Sequence, residues 1–500
     1  VKGREQYLVG AQDHGSFLSN KNFVGSDTSN YTQFWSGDGF EILAHNSDPD
    51  KMFGGSQFNS AVRSTDGGDS WYFVSNMPAF QSLNAPFSSQ YESSYQDPDL
   101  ILSLNSTGVG KSTDWGDTWI NVEVPDGNWA NINSRDISVS DANPRYIWVG
   151  GYMGNLSQIY VSDDWGNSYN PVNNFTNENG LAMGTISGIY THPYEDSSAY
   201  VLFSYYGFPK VIKTEDLGNT WEDISGFASL DEGLSVSSTG FPNVGVYSLL
   251  VMPHNNDIIW VGTDIGLIES TDGGKSWYLV ESNMPFTAIY DLKVKDQGQV
   301  IITTHGAGLW TATIEDLKSF IPKPATLPPV IDDAYQVSNE NEYIINTTIN
   351  FKSVYDSLSI QANETVYITI TDSINIETSD IVFNVLDKGD YTLQAFGYKD
   401  GIAYPSNEFD ITLNPTLAPR TEYSTTFSDL VGDEFGLDRF RIGIQGGFEG
   451  RQLHTEHPYE SGVAGGYDDG YSVHALLNIP IIITDLSLIH ISEPTRLSRI

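Results

Sequence analysis

Five degenerate copies of one octet recur between residues 64 and 277 of this 500-residue chain, and no other feature limits the fold as much. They read STDGGDSW (64–71), STDWGDTW (112–119), SDDWGNSY (162–169), TEDLGNTW (214–221) and STDGGKSW (270–277). Their central acids are Asp66, Asp114, Asp164, Asp216 and Asp272, separated by 48, 50, 52 and 56 residues. Each octet follows an apolar strand, a short Gly-containing turn and a second strand, as in YIWVGGYMGNLSQIYVSDDWG and IIWVGTDIGLIESTDGG. Two further segments, YLVGAQDHGSFLS (7–19) and VIITTHGAGLWTATI (300–314), carry the strand–turn–strand part without the octet.

The octet's chemistry suits a turn between strands. A short acid accepts backbone N–H groups just ahead of it, and the following Gly takes positive φ at no steric cost. The closing aromatic (Trp71, Trp119, Tyr169, Trp221 or Trp277) restarts an alternating strand and buries a large ring. These acids and aromatics are therefore expected to be scaffold. Seven units with a period near 50 residues predict an all-β chain beginning with about seven four-stranded propeller blades.

The pattern S/T-x-D-x-G-x-S/T-W resembles the Asp-box, the repeat of the sialidase, xyloglucanase and sortilin-like β-propeller superfamily. The resemblance covers about residues 5–315. It implies turns on the outer rim, away from a central channel where ligands bind. Enzymes, receptors and assembly factors share the motif, so it implies a fold and not an activity.

Composition narrows the function. The net charge is −40, from 64 acidic and 24 basic residues. Such a surface repels phosphate backbones and anionic membranes, which argues against nucleic-acid and membrane partners. There is no cysteine, which excludes disulfides, thiolate zinc sites and cysteine nucleophiles. No apolar run is long enough to span a bilayer. No calcium loop of the EF-hand type occurs, and neither metal nor cofactor is expected. The chain opens at Val1 without Met or an apolar leader and reads as a fragment.

All eleven Trp lie at or before Trp310, where a Pro-rich stretch, KSFIPKPATLPPV (318–330), marks a linker placed over 316–330. Residues 331–414 hold three Gly and alternating runs, and Asp387, Gly389 and Tyr391 form a D-x-G-x-Y arrangement resembling the tyrosine corner of an immunoglobulin- or fibronectin-like sandwich. Residues 420–484 read as the start of a further β-sandwich, similar to accessory modules of Bacteroidetes surface proteins. The last stretch, 485–500, turns abruptly basic and resembles translated adapter read-through.

Sialidase chemistry is not expected. It needs three arginines, and residues 1–315 contain Arg4, Arg63, Arg135 and Arg145, with Arg63 beside an octet and no Phe/Tyr-Arg-Ile-Pro motif; FIPKP (320–324) lacks the Arg. A xyloglucanase-like site needs two carboxylates across a cleft. The candidates are loop acids, Asp13, Asp38, Glu41 and Asp264, each with the alternative of a turn acid satisfied by backbone. Xyloglucanases carry two propellers, and this chain shows one. His14 and His305 occupy equivalent positions in the first and last units and would approach one another in a closed ring. His454 and His457 lack the HExxH spacing.

The expectation is an exported or cell-surface monomer that binds a polysaccharide or protein without altering it, with aromatics in SNYTQFW (29–35) and VLFSYYGFP (201–209) as stacking surfaces. The alternative is a glycoside hydrolase of xyloglucanase type. Resemblance to Bacteroidetes surface proteins also implies a type IX secretion sorting domain.

Overall fold

The computed structural model describes residues 1, 4, 6–20, 30–77, 85–125, 136–154, 158–175, 183–227, 234–295, 298–319, 324–337, 343–413, 435–438, 440–443, 452–455 and 474–477. Arg135, His457, the side chain of His454, most of 420–484 and all of 485–500 lie outside the described residues. The chain is all-β, with one short 3-10 helix, Glu315–Ser319, among the described residues. It divides into two compact units, Val1–Ala325 and Thr326–Ile500.

The first unit is a succession of antiparallel sheets, seven among the described residues. The sheets that carry octets run in simple order, as in Tyr91–Ser93, Ile101–Leu104, Gly108–Ser112 and Ile120–Glu123. The first sheet (Leu8–Ala11, Gly15–Ser19, Tyr31–Trp35) and the seventh (Ile289–Lys295, Gln299–Thr304, Leu309–Thr313) have three strands each. Second strands such as Ile147–Met153 read as continuous apolar runs because both faces are covered. Ile147 and Val149 pack toward the preceding sheet, while Trp148 packs toward the next. Side chains alternate across a strand, so every pair of successive sheets encloses its own apolar cluster.

First strands differ from second strands in being half polar. They lie against one another in order, Leu43–Ala44 against Tyr91–Ser93, then Asp136–Val139, Gly188–Thr191, Val246–Val251 and Ile289–Lys295. Side chains from both ends of the unit join the succession: Lys293 pairs with Glu41, and the Lys295 amine sits 4.8 Å from the centre of the Tyr7 ring. The first strands thus surround a channel.

Each octet is a turn between the third and fourth strands of its sheet, with one hydrogen-bond pattern repeated. The leading Ser or Thr hydroxyl donates to the acid, 2.7 Å for Ser112 to Asp114 and 2.9 Å for Ser270 to Asp272. The same hydroxyl accepts the amide of the later Gly, 2.8 Å from Gly274 to Ser270. The acid then accepts the amide and hydroxyl four residues on, 2.9 and 2.5 Å from Ser276 to Asp272. Burial alone would raise the Asp66 carboxyl, but hydrogen bonds from Ser70 and Ser64 outweigh it and hold the group down at about 2. Asp216 and Asp272 are lowered too, first by the hydroxyls of Thr220 and Ser276.

The pair of residues after the acid is left-handed in every copy, including Trp115 (φ 57°), Trp165 (φ 59°) and Leu217 (φ 56°) where no Gly stands. A non-Gly residue there costs about 1 kcal/mol or more. Burial of the Trp115 side chain in the cluster between sheets offsets it there, and Trp165 is buried as well. The amide of that residue reaches back to the preceding hairpin, at 2.9 Å from Trp115 to Asp99 and from Gly273 to Asp257.

The second unit contains a three-stranded sheet (Val330–Val337, Tyr343–Asn350, Thr378–Val385) and a five-stranded one built on Ser357–Ala362 and Gly389–Lys399. The two share one core, with Ile345, Ile349 and Phe383 against Leu358, Ile360 and Leu393. The Tyr391 hydroxyl donates to the Asp387 carbonyl at 2.8 Å. Tyr391→Phe removes this bond and keeps the ring, so it is expected to lower stability by about 1 kcal/mol. Urea unfolding checks it, with an unchanged midpoint as the contrary result.

Candidate functional site

The channel wall is built by the polar side of the first strands. Asp136–Val139 packs Ile137 and Val139 inward and leaves Asp136 and Ser138 on the other face. The same alternation presents Glu92, Tyr190, Tyr247 and Lys293, together with Asp291, where the register shifts after Ile289. A regular offset is visible within the repeats. Glu41 and Asp136 stand four residues before the turn residues His45 and Ser140, and Glu92 and Tyr190 stand two before Ser94 and His192. Both offsets are even, so the strand residues Glu92, Asp136 and Tyr190 take equivalent faces, while Glu41 stands just before the strand Leu43–Ala44.

Lys293 organises the charges. Its amine pairs with the Glu41 carboxylate and lies 3.7 Å from Asp291 Oδ2. Glu41 and Asp291 thus lie within ion-pair reach of the same ammonium. Enclosure by the surrounding sheets would lower the Lys293 amine, yet Asp291, Glu41 and Glu92 raise it well above its usual value. Glu92 is pushed well above the carboxylate range, first by enclosure and then by the charges of Glu41, Asp141 and Asp136 against the pull of Lys293. Glu41 is raised by enclosure as well, with Lys293 opposing. Asp136 is raised to about 7 by enclosure, although Ile189 N–H donates to it at 2.6 Å. Asp141 is raised to about 6. These groups keep part of their surface in channel water, 27% for Glu41 and 46% for Lys293, so solvent screens the energies involved.

A pH dependence follows. Asp136 titrates near 7 folded and about 3.9 unfolded. Its contribution to stability is therefore complete below pH ~4 and is lost as pH rises through 7. After discounting for channel water, the loss is on the order of 1–2 kcal/mol. Asp136→Asn should raise the melting temperature at pH 8 and leave it unchanged at pH 4. Equal effects at both values would contradict the assignment.

At one side of the channel stands a tyrosine corner. Tyr247 and Tyr290 meet edge to face, with ring centres 4.7 Å apart at 89°, and His305 lies 5.4 Å from Tyr290. Asp264 fixes the corner by accepting the Tyr247 hydroxyl at 2.6 Å and the Gly245 amide at 2.8 Å. The Tyr190 hydroxyl donates to the Tyr247 carbonyl at 3.0 Å, linking the corner to the carboxylates.

The four candidate acids therefore occupy different situations. Glu41 lines the channel and pairs with Lys293. Asp264 orients Tyr247. Asp38 accepts the Asp13 amide at 2.6 Å, and Asp13 holds a left-handed φ of 64°, so these two brace neighbouring loops. No contact joins His14 to His305 among the described residues. Arg63 pairs with Asp117 of the next octet, Arg4 with Asp50, and Arg145 lies over the Trp165 ring. In SNYTQFW, Phe34 stacks on Trp71 and Trp35 on Phe73, whereas Tyr206 of VLFSYYGFP is 61% exposed. Sequence reasoning missed Glu92, Asp136, Asp291, Lys293, Tyr190, Tyr247 and Tyr290. For Glu92, Asp136 and Tyr190 the signal was the even offset from the turn, visible once the repeats are aligned on their first strands. Among the described residues no cluster of His, Asp and Glu has the spacing to hold a metal.

Octet turns of one hydrogen-bond pattern on successive antiparallel sheets are consistent with the β-propeller that the Asp-box resemblance implies. No family model matches the chain, and no curated protein matches it. Among solved structures it is similar to a YCF48 protein bound to a D1 peptide (15% identity, TM-score 0.43, 63% of this chain and 96% of that one). It is also similar to the GH74 xyloglucanase from Xanthomonas campestris (13%, 0.44, 80% and 65%). A third is the extracellular domain of a hybrid two-component system protein from B. thetaiotaomicron (13%, 0.44, 83% and 55%). The chain thus spans about two thirds of the xyloglucanase and just over half of the two-component protein.

Proposed function

We propose that this chain is an exported or cell-surface protein whose seven-bladed propeller, residues 1–315, binds a glycan in its central channel without cleaving it. The octet acids and aromatics serve as scaffold. A linker over 316–330 leads to an immunoglobulin-like module at 331–414 and a further sandwich at 420–484, which act as spacers. The observation that carries the reading is that Glu41 and Asp291 share the Lys293 ammonium on first strands whose neighbours carry Tyr190, Tyr247 and the part-exposed Tyr290. Carboxylates accept sugar hydroxyls, and tyrosine faces cover the apolar side of a pyranose. Among the described residues no helix is long and apolar enough to cross a membrane.

A specific observation supports hydrolysis as a second reading. Glu41 and Asp291 share one ammonium, and Asp136 is held protonated up to about pH 7, which supplies a base or nucleophile and an acid. The test applies the full chain to immobilised β-glucans, xyloglucan and marine polysaccharides, charged and uncharged, and measures reducing-end release. Retention without release is the expected result. Release abolished by Asp136→Asn establishes the hydrolase instead, and neither retention nor release removes both readings in favour of a protein ligand.

A further inference from the structure

One hairpin tip of the first unit is strained without a gain in packing. The turn between Met52–Ser56 and Ser60–Ser64 centres on Phe58 at φ 58° and Asn59 at φ 56°. A hairpin turn with positive φ at both central residues favours Asn or Gly there, and a bulky residue is strained. At Trp115 and Trp165 the same strain comes with a buried ring, whereas Phe58 is 43% exposed. Asn59 is locked into the fold, its amide donating to Ser89 Oγ and its side chain to the Leu104 carbonyl, each at 2.8 Å. The next sheet therefore holds the hairpin in place, while the ring at its tip stays in solvent.

Phe58 belongs to a row of rings. It meets Phe87 edge to face with centres 5.4 Å apart at 77°, and Phe87 meets Phe40 at 5.4 Å and 75°. Phe87 is 46% exposed. Phe40 immediately precedes Glu41, whose carboxylate pairs with Lys293, so the row starts next to the channel ion pair. Its sheet carries it at the end opposite the octet, because the octet follows the third strand and the Phe58 turn precedes it.

Polar groups border the rings. The Gln57 carboxamide oxygen accepts the Asp38 amide at 2.8 Å, and Asp38 Oδ1 accepts the Asp13 amide at 2.6 Å. Among the described residues the Gln57 side-chain N–H groups, Asp38 Oδ2 and the Asp13 carboxylate have no hydrogen-bond partner. Aromatic surface edged by such donors and acceptors suits a pyranose, whose carbon–hydrogen face covers a ring while its hydroxyls reach the border. A purely apolar partner would strip water from Gln57, Asp38 and Asp13 and replace it with nothing. Two carboxylates on a chain of net charge −40 disfavour sulfated and uronic units. A glucose-type ring, with its hydroxyls equatorial, offers the flattest apolar face.

We propose that Phe58 and Phe87 form a second sugar platform outside the channel, stacking neutral glucose-type units of a glycan chain whose other units occupy the channel. The proposal rests on the reading of the channel as a glycan site, and it makes binding depend on chain length.

Calorimetric titration of the full chain with cellohexaose and cellotriose tests it, on the natural sequence and on Phe58→Asn and Phe87→Ala. Cellohexaose is expected to bind at least about 10-fold more tightly than cellotriose, the scale of one well-placed aromatic contact. Each substitution should weaken cellohexaose by about 10-fold and leave cellotriose unchanged. Phe58→Asn should also raise the melting temperature, because Asn takes positive φ more readily than Phe. A lowered melting temperature assigns Phe58 to packing and overturns the strained display. Equal affinity for the two oligomers, or unchanged cellohexaose affinity in both variants, overturns the platform while leaving the channel. Equal weakening of both oligomers places the rings in the main site and overturns a second one. Retention of another glycan of the wider panel without binding of cellohexaose overturns the glucose-type ligand, and retention of none overturns the channel reading itself. Phosphatidylcholine vesicles that bind the natural chain and not Phe58→Asn would assign the rings to a membrane and overturn the sugar.

Discussion

Trp277→Ala is expected to lower the unfolding free energy of the first unit by about 3–5 kcal/mol. The indole is 2% exposed and belongs to the cluster between the fifth and sixth sheets. Its ring meets Phe241 edge to face at 5.1 Å, and its N–H lies 2.9 Å from the Ile224 carbonyl and 3.1 Å from that of Gly274. Truncation therefore opens a cavity and leaves two carbonyls short of a donor at the junction of successive sheets. A unit of this size should melt on the order of 10 °C lower. Trp71→Ala is the comparison. Trp71 is only partly buried and stacks on Phe34 at 3.8 Å, so its loss is expected to cost less than half as much. Equal effects at the two positions, or a loss below about 1 kcal/mol at Trp277, would contradict the view that sheet-to-sheet packing through these aromatics holds the unit together.

The second large effect concerns the channel. Replacing Glu41 by Gln and Asp291 by Asn together removes both carboxylates that contact Lys293. A hydrogen bond between a carboxylate and a ligand hydroxyl contributes about 1.5–3 kcal/mol. Losing two should weaken ligand binding by roughly 100-fold or more. Stability should move little, because the Lys293 side chain is 46% exposed and an ion pair open to water contributes at most about 1 kcal/mol. A variant that loses binding while keeping its melting temperature separates a ligand site from a structural ion pair. Two single variants whose losses fall short of the double by more than about 0.5 kcal/mol would show the two carboxylates acting on the ligand as one unit.

The repeat made the turns legible and left the channel obscure, for a physical reason. An octet spends its residues on a local hydrogen-bond circuit, so Ser270, Asp272, Gly274 and Ser276 must sit at fixed spacing, and the eye finds them. The left-handed Trp115, Trp165 and Leu217 were not legible, because nothing in a bulky apolar residue announces positive φ; packing between sheets decides it. Channel residues need only a strand face. Glu92, Asp136 and Asp291 stand in different local sequences, and what unites them is position relative to an axis that exists only when the sheets assemble. Asp13 and Asp38 attracted attention as acids beside Gly turns, and that setting is also where an acid is most readily taken up by backbone amides, as Asp38 is by Asp13. Glu41 was legible as a loop acid, but its pairing with Lys293, 252 residues away, was not.

The most direct test of the central claim is the retention of the full chain on immobilised glycans, comparing the natural sequence with the Glu41→Gln, Asp291→Asn double variant at matched stability. The account predicts retention on at least one glycan for the natural chain and loss of that retention in the variant. Equal retention of the two proteins would place the ligand elsewhere and contradict the channel as the functional site.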